Sequence, residues 1–162
     1  MERRNKIITY KHVPSLCTTL SALRKSIVIA GGCFDILHTG HIAFLEASKA
    51  QGDTLVIFLE ADMRISKLKG ENRPVHMQAT RAQILATLPT VDYIILLPDV
   101  MTNDLYDQLI LSLKPAIITA TNGDPYRTHK ERQAKLVGGK VKTVIDLLPE
   151  FSTTKLVSTL PI

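Results

Sequence analysis

This 162-residue sequence predicts a single α/β domain, an open parallel sheet of about five strands with helices on both faces. Three observations lead there. Short runs rich in Ile, Val and Leu alternate with longer stretches of helical spacing, the pattern of βαβ units joined by right-handed crossovers. One run, residues 54–59, is apolar at nearly every position, which suits a strand covered on both faces better than one with a wet side. Gly52, Pro89, Pro115 and Asn122-Gly123 interrupt the chain between these segments, where helices and strands must stop.

Composition agrees with one globular core. Hydrophobic residues make up 45% and charged residues 22%, close to the average for such domains, so neither disorder nor a membrane protein is implied. The formal charge of +5 favours anionic partners, but Lys and Arg are dispersed and aromatics are only 5%. Attraction for phosphates follows, without the basic stripe and stacking residues of a nucleic-acid binder. Cys17 and Cys33 are too few for a disulfide framework or a cysteine zinc site. A reduced cytoplasmic compartment is expected, since the charged N-terminus also lacks a signal-peptide core.

Taken in order, residues 1–25 are polar with scattered apolar positions, and Leu16, Leu20 and Leu23 share a face of a short helix over 15–23. They read as an adapter packed on the main domain, 26–162. The first strand is 27–30, and a helix over 42–50 follows its glycine-rich turn and stops at Gly52. The second strand is 54–59. Residues 60–74 turn polar and basic, a loop or short helix carrying Lys67, Lys69 and Arg73. A helix over 78–88 ends at Pro89 and leads to a third strand at 93–97; a helix over 105–113 leads through Pro115 to a fourth strand at 116–119. After the turn-rich segment 121–126, a polar helix runs to Gly138-Gly139 and a fifth strand occupies 141–145.

The chemistry gathers at Gly31-Gly32-Cys33-Phe34-Asp35-Ile36-Leu37-His38-Thr39-Gly40-His41, between the first strand and its helix. Glycines allow a tight turn and close approach of the backbone to a ligand, and the start of a helix offers free N–H groups and a positive dipole end. That combination suits a phosphate. His38 and His41, three residues apart on the first helical turn, project from one side, and Gly40 between them leaves space above the helix end. Imidazoles there can donate hydrogen bonds to a phosphoryl group. A structural metal site would need further ligands than Asp35 and this pair. In an open parallel sheet, ligands bind outside the carboxyl ends of the strands, where this turn, the basic segment and the Asn-Gly-Asp turn all fall.

These residues carry a resemblance. His38-Thr39-Gly40-His41 with Gly32-Cys33-Phe34-Asp35 resembles the HxGH signature of the cytidylyltransferase-like nucleotidyltransferases, and Ser152-Thr153-Thr154 resembles their C-terminal signature. Within that superfamily the segment is similar to the adenylyltransferase domain of ADP-heptose synthesis, as are Lys67-Leu68-Lys69-Gly70, Arg73-Pro74-Val75 and Val91-Asp92-Tyr93. The resemblance implies a Rossmann-like fold and transfer of a nucleoside monophosphate, AMP from ATP favoured, to a phosphorylated acceptor such as a sugar phosphate. Pyrophosphate leaves, and Mg²⁺ arrives with the triphosphate rather than on a dedicated protein site.

The same resemblance implies roles. His38, His41, Lys67 and Lys69 act on the reacting phosphates, while Gly32, Cys33, Phe34, Gly40, Arg81, Asp124, Ser152, Thr153 and Thr154 bind the nucleotide. Asp35 fixes the turn or approaches the acceptor or metal. Without the resemblance, Arg81 would read as a surface helix arginine and Asp124 as part of a plain turn. A homodimer is implied by analogy with relatives. The chain also departs from the heptose enzymes: Thr119-Ala120-Thr121-Asn122 stands where Val-Lys-Gly is usual before Gly-Asp, and Ala79 and Thr80 stand where glutamates are usual. Two alternatives stay open, a cytidylyltransferase using CTP and glycerol 3-phosphate, and a non-catalytic nucleotide-binding module. His12, His76 and His129 match no motif.

Overall fold

Six parallel strands in the order β1-β4-β3-β2-β5-β6 form the centre of the molecule. The computed structural model describes residues 6–146. The strands are β1 (Ile7–Thr9), β2 (Ile27–Gly32), β3 (Thr54–Leu59), β4 (Tyr93–Leu96), β5 (Ile117–Thr121) and β6 (Lys140–Ile145). The helices are α1 (Val13–Leu23), α2 (Thr39–Lys49), α3 (Asp62–Lys69), α4 (Gln78–Ala86), α5 (Asn103–Leu113) and α6 (Arg127–Leu136).

The strand runs alternate between two cores, as a period of two requires. Ile29, Val56, Phe58 and Ile95 face one side and meet Val13, Leu16, Leu20, Leu109, Leu113 and Ala134 of α1, α5 and α6. Val28, Ala30, Leu55, Ile57 and Ile94 face the other and meet Phe44, Leu45, Ala82 and Leu85 of α2 and α4. All six residues of β3 are buried, matching the unbroken apolar run and the expectation of a doubly covered strand. Helix ends follow local chemistry. Thr102 caps α5 by accepting from the Leu105 amide, and Lys114 (φ 49°) closes it in the left-handed region just before Pro115.

The basic segment, expected to be a loop or short helix, holds the helix α3. One feature exceeds the sequence expectation. The sheet has a sixth strand, β1, pairing with β4 in the register Ile7↔Ile94 and Thr9↔Leu96, inside the stretch expected to be an adapter. Three residues are too short for a period of two to be recognised, and β1 is held by β4 rather than by its own pattern.

This order determines where a ligand can lie. From β2 the chain builds outward through β3 to β4, then crosses back to lay β5 on the other side of β2. The switch point is therefore between the carboxyl ends of β2 and β5, which are Gly32 and Thr121.

Candidate active site

The turn leaving β2 is built around Phe34. Its ring is buried and lies so close to Gly32 that a Cβ there would sit 2.9 Å from the ring edge, whereas a Cβ on Gly31 would meet only ordinary contacts near 3.9 Å. Glycine is needed at 32 for this packing and is not needed sterically at 31. Phe34 itself has φ 45°, an uncommon conformation for a bulky residue that the surrounding contacts must hold.

Asp35 provides much of that hold. Its carboxylate is almost fully buried and accepts from the Arg73 Nε (2.8 Å), the Val75 amide (2.9 Å) and the His76 amide (2.9 Å). Burial alone would raise its pKa; the two amides and the Arg73 guanidinium outweigh that and hold it below the ordinary carboxylate value. Of the roles considered for Asp35, the geometry matches fixing the turn, because both oxygens are already engaged by Arg73 and the two amides.

Arg81 has a similar place beneath the turn. It is 0% exposed, so it is not the surface arginine that its helical position alone would suggest. Its guanidinium donates to the carbonyls of His76 (2.8 Å), Cys33 (2.5 Å) and Glu60 (2.8 Å) and to Asp62 Oδ1 (2.7 Å). Three segments, around Cys33, Glu60 to Asp62 and His76, are thus tied to one side chain. In this arrangement Arg81 shapes the backbone of the expected nucleotide turn from below, with its donors turned to protein rather than toward the open edge.

Above this floor stand the histidines. His38 is the N-cap of α2, with extended backbone and Nδ1 facing the His41 amide at 3.4 Å. The His38 and His41 rings stack with centroids 3.8 Å apart, and the Phe34 ring supports His41 at 5.3 Å. Gly40 is buried between them. Burial lowers the His41 pKa to about 4, helped by the neighbouring His38 and by Lys69, against a ring hydrogen bond donated to the Ile36 main chain and the charge of Asp35, which pull it up. His38 is lowered too, by burial and then by Lys69. Near neutral pH His41 is therefore a neutral hydrogen-bond donor, and the positive charge at this spot comes from Lys69 and the helix end.

That gives a testable sign. The unfolded His41 ring, near its ordinary value of 6.5, binds a proton that the folded ring refuses until about pH 4. Its contribution to stability is fully present above 6.5 and is lost as pH falls through 4, on the order of 3 kcal/mol. A ring-proton NMR titration should place the His41 midpoint near 4. Addition of inorganic pyrophosphate should raise it, and a midpoint near 6.5 in the free protein would refute this burial.

The two lysines separate. Both lie exposed on α3, but residues two apart on a helix point about 200° from each other. Lys69 is the one whose charge acts on Cys33, His38 and His41. The Cys33 thiol is raised mainly by burial, with Lys69 pulling it down. Asp124 lies across the switch point, where its Oδ1 accepts from the Tyr126 amide (2.8 Å) and its Oδ2 from Lys130 Nζ (2.7 Å). Lys130 also donates to the Thr119 carbonyl (3.0 Å). Ser152, Thr153 and Thr154 lie outside the described residues.

Several neighbours escaped the sequence reading. Glu60 leaves the carboxyl end of β3, and that position was the signal that could have found it. Its Oε1 accepts from the Tyr106 hydroxyl (2.8 Å) and its Oε2 faces Arg64 Nε at 3.2 Å. Burial raises its pKa against the Tyr106 hydrogen bond and the charges of Arg64 and Arg81. Lys130 had no signal, since only the folding of α6 brings it to Asp124. Among the described residues, no group of three or more His, Cys, Asp or Glu is arranged to hold a metal, and no helix is long and apolar enough to cross a membrane.

Several known proteins are similar to this chain. The Bifunctional protein HldE of Campylobacter jejuni subsp. doylei is 39% identical over 147 residues, 91% of this chain and 30% of the relative. That of Pseudomonas fluorescens is 38% identical over 139 residues, 84% of this chain and 28% of the relative. The chain thus spans less than a third of these relatives' length. A lipopolysaccharide core biosynthesis protein from Thermoplasma volcanium superimposes with a TM-score of 0.62 at 28% identity, covering 76% of this chain and 97% of that one. A pantoate-beta-alanine ligase from Francisella tularensis shares the fold alone, with a TM-score of 0.64 at 14% identity over 93% of this chain and 76% of that one. Residues 29–162 match the family described as cytidylyltransferase-like. With the HxGH turn at the switch point of a parallel sheet, the chain belongs to the cytidylyltransferase-like family of nucleotidyltransferases.

Proposed function

We propose that this chain transfers AMP from ATP to the phosphate of a sugar phosphate, such as a heptose 1-phosphate, and releases pyrophosphate. The observation that carries the reading is the stacked His38–His41 pair on the first turn of α2, with the charge of Lys69 beside it. The likeness of the turn to the adenylyltransferase domain of ADP-heptose synthesis, and the lipopolysaccharide core biosynthesis relative, support the acceptor class.

The chemistry asks for positioning and charge neutralisation. An ionised oxygen of the acceptor phosphate attacks the α-phosphorus of ATP. A new P–O bond forms, the bond to the β-phosphate bridge breaks, and the electron pair leaves with pyrophosphate. The nucleophile is already ionised, so no strong general base is required. His38 and His41 donate to the α-phosphoryl oxygens as charge builds, the α2 amides add their dipole, and Lys69 neutralises the phosphates. Cys33 and Phe34 border the nucleotide, and Asp124, held by Lys130, faces its ribose or base. Ser152, Thr153 and Thr154 are the proposed partners of the β- and γ-phosphates, and Mg²⁺ enters as part of the MgATP substrate.

CTP is the second reading, because Ser152-Thr153-Thr154-Lys155 is also similar to glycerol-3-phosphate cytidylyltransferases. Pyrophosphate release should be measured with ATP and CTP separately against heptose 1-phosphate, other sugar 1-phosphates and glycerol 3-phosphate. Turnover with ATP and a sugar phosphate is expected. Turnover with CTP alone selects the second reading, and tight nucleotide binding without turnover on any acceptor selects a non-catalytic module.

A further inference from the structure

We propose that Glu60, braced by Tyr106 and Arg64, is a specificity-determining residue that receives the hydroxyl-bearing part of the acceptor on the β3 side of the histidine pair. This rests on the nucleotidyltransferase reading and deepens it by dividing the site into two halves.

The division follows from strand order. β2 is central, with β5 on one side and β3 on the other. Asp124 and Lys130 occupy the β5 side, at the switch point where a nucleoside is expected. The Glu60 amide donates to the Gly32 carbonyl at 3.1 Å, which puts Glu60 abreast of the turn on the β3 side. Its carboxylate is near enough to influence the Cys33 thiol, as Lys69 is from its own position. An in-line displacement brings the acceptor from the side of the α-phosphate opposite the pyrophosphate, so the acceptor needs a pocket distinct from those that hold the pyrophosphate and the nucleoside.

The chemistry of the cluster selects what fits there. A carboxylate has about four lone-pair positions and accepts only. Tyr106 engages one position at 2.8 Å and Arg64 lies by the other oxygen at 3.2 Å. Among the described residues the Oε2 oxygen is buried with no hydrogen-bond donor of its own, the ion pair with Arg64 aside, so it keeps lone pairs for a further donor. A structural tie to Tyr106 could be made by an uncharged amide oxygen without the cost of burying charge. A carboxylate at this mouth instead suits neutral hydroxyl donors and repels a second anion. The acceptor's phosphate therefore turns toward Lys69 and its hydroxyls toward Glu60, with Arg64 keeping the carboxylate in place.

Steady-state kinetics on wild type, Glu60→Gln and Tyr106→Phe, with heptose 1-phosphate varied at saturating ATP and then the reverse, tests this. Loss of a charge-assisted hydrogen bond predicts that KM for the sugar phosphate rises about 10-fold or more in Glu60→Gln. A smaller rise is expected in Tyr106→Phe, while KM for ATP stays within about twofold in both. Wild type should also prefer heptose 1-phosphate over a deoxy analogue by a margin that Glu60→Gln reduces. Melting curves identify any loss of fold, and the isosteric Tyr106→Phe carries the test if Glu60→Gln is unstable. An unchanged KM for the sugar phosphate, or an equal rise in both KM values, overturns the assignment. If wild type releases no pyrophosphate with any sugar phosphate, the underlying reading fails instead and this assignment goes with it.

Discussion

His41→Ala should release pyrophosphate about 100- to 1,000-fold more slowly than wild type at saturating substrates, with a much smaller change in the KM for ATP. The magnitude is that of one preorganised donor removed from a site of developing charge. Three observations make His41 the larger loss of the two histidines. It is the more buried ring, it packs between His38 and Phe34, and it lies above the first turn of α2. Because the ring is neutral near pH 7, its proposed role is donation rather than charge, so His41→Gln should retain more activity than His41→Ala. Single-turnover measurement separates the chemical step from product release. Equal turnover in wild type and His41→Ala would remove the histidine from the mechanism.

Arg81→Met should destabilise the fold by roughly 3–5 kcal/mol, the range seen when one partner of a buried, hydrogen-bonded ion pair is removed. The side chain is fully buried, and its loss strands the carbonyls of Cys33, Glu60 and His76 along with Asp62. For a chain of this size that is a fall in Tm of roughly 6–20 °C. Arg81→Lys should recover little, since one ammonium cannot span four acceptors that a planar fork reaches. Activity in whatever protein remains folded should drop too, because Cys33 and Glu60 flank the histidines. Thermal unfolding within about 2 °C of wild type would show that neighbours satisfy these groups without it.

The contrast between these residues marks how far the sequence could be read. His38 and His41 announce themselves by three-residue spacing beside a glycine turn, a local pattern that helix geometry converts into a shared face. The stacking of the rings and the neutral state of His41 were not local. They depend on Phe34, which reaches them only because Gly32 clears a place for its ring. Arg81 shows the same limit from the other direction. Its place on an amphipathic helix suggested solvent, while the fold carries that face under the β2 turn, where only a residue with several donors can satisfy three carbonyls. Lys67 and Lys69 were a pair in sequence until the helix of α3 aimed one of them at the site.

What the amino-acid order determined unaided was whatever rests on short-range periodicity: the alternation of strands and helices, the doubly buried β3, the glycine turn and the helix start that follows it. Contacts between segments far apart in the chain required the folded molecule. Asp35 with Arg73 and Glu60 with Tyr106 join distant elements, and even Asp124 with Lys130, six residues on, meets only because of how the turn enters α6; no spacing rule encodes them. The strand β1 belongs to the same class, since three residues carry too little pattern to be recognised without the partner that pairs with them. Backbone periodicity places the glycine turn at the sheet edge, but distance in three dimensions decides what surrounds it, and that burial, with the nearby charges, sets the protonation of His41.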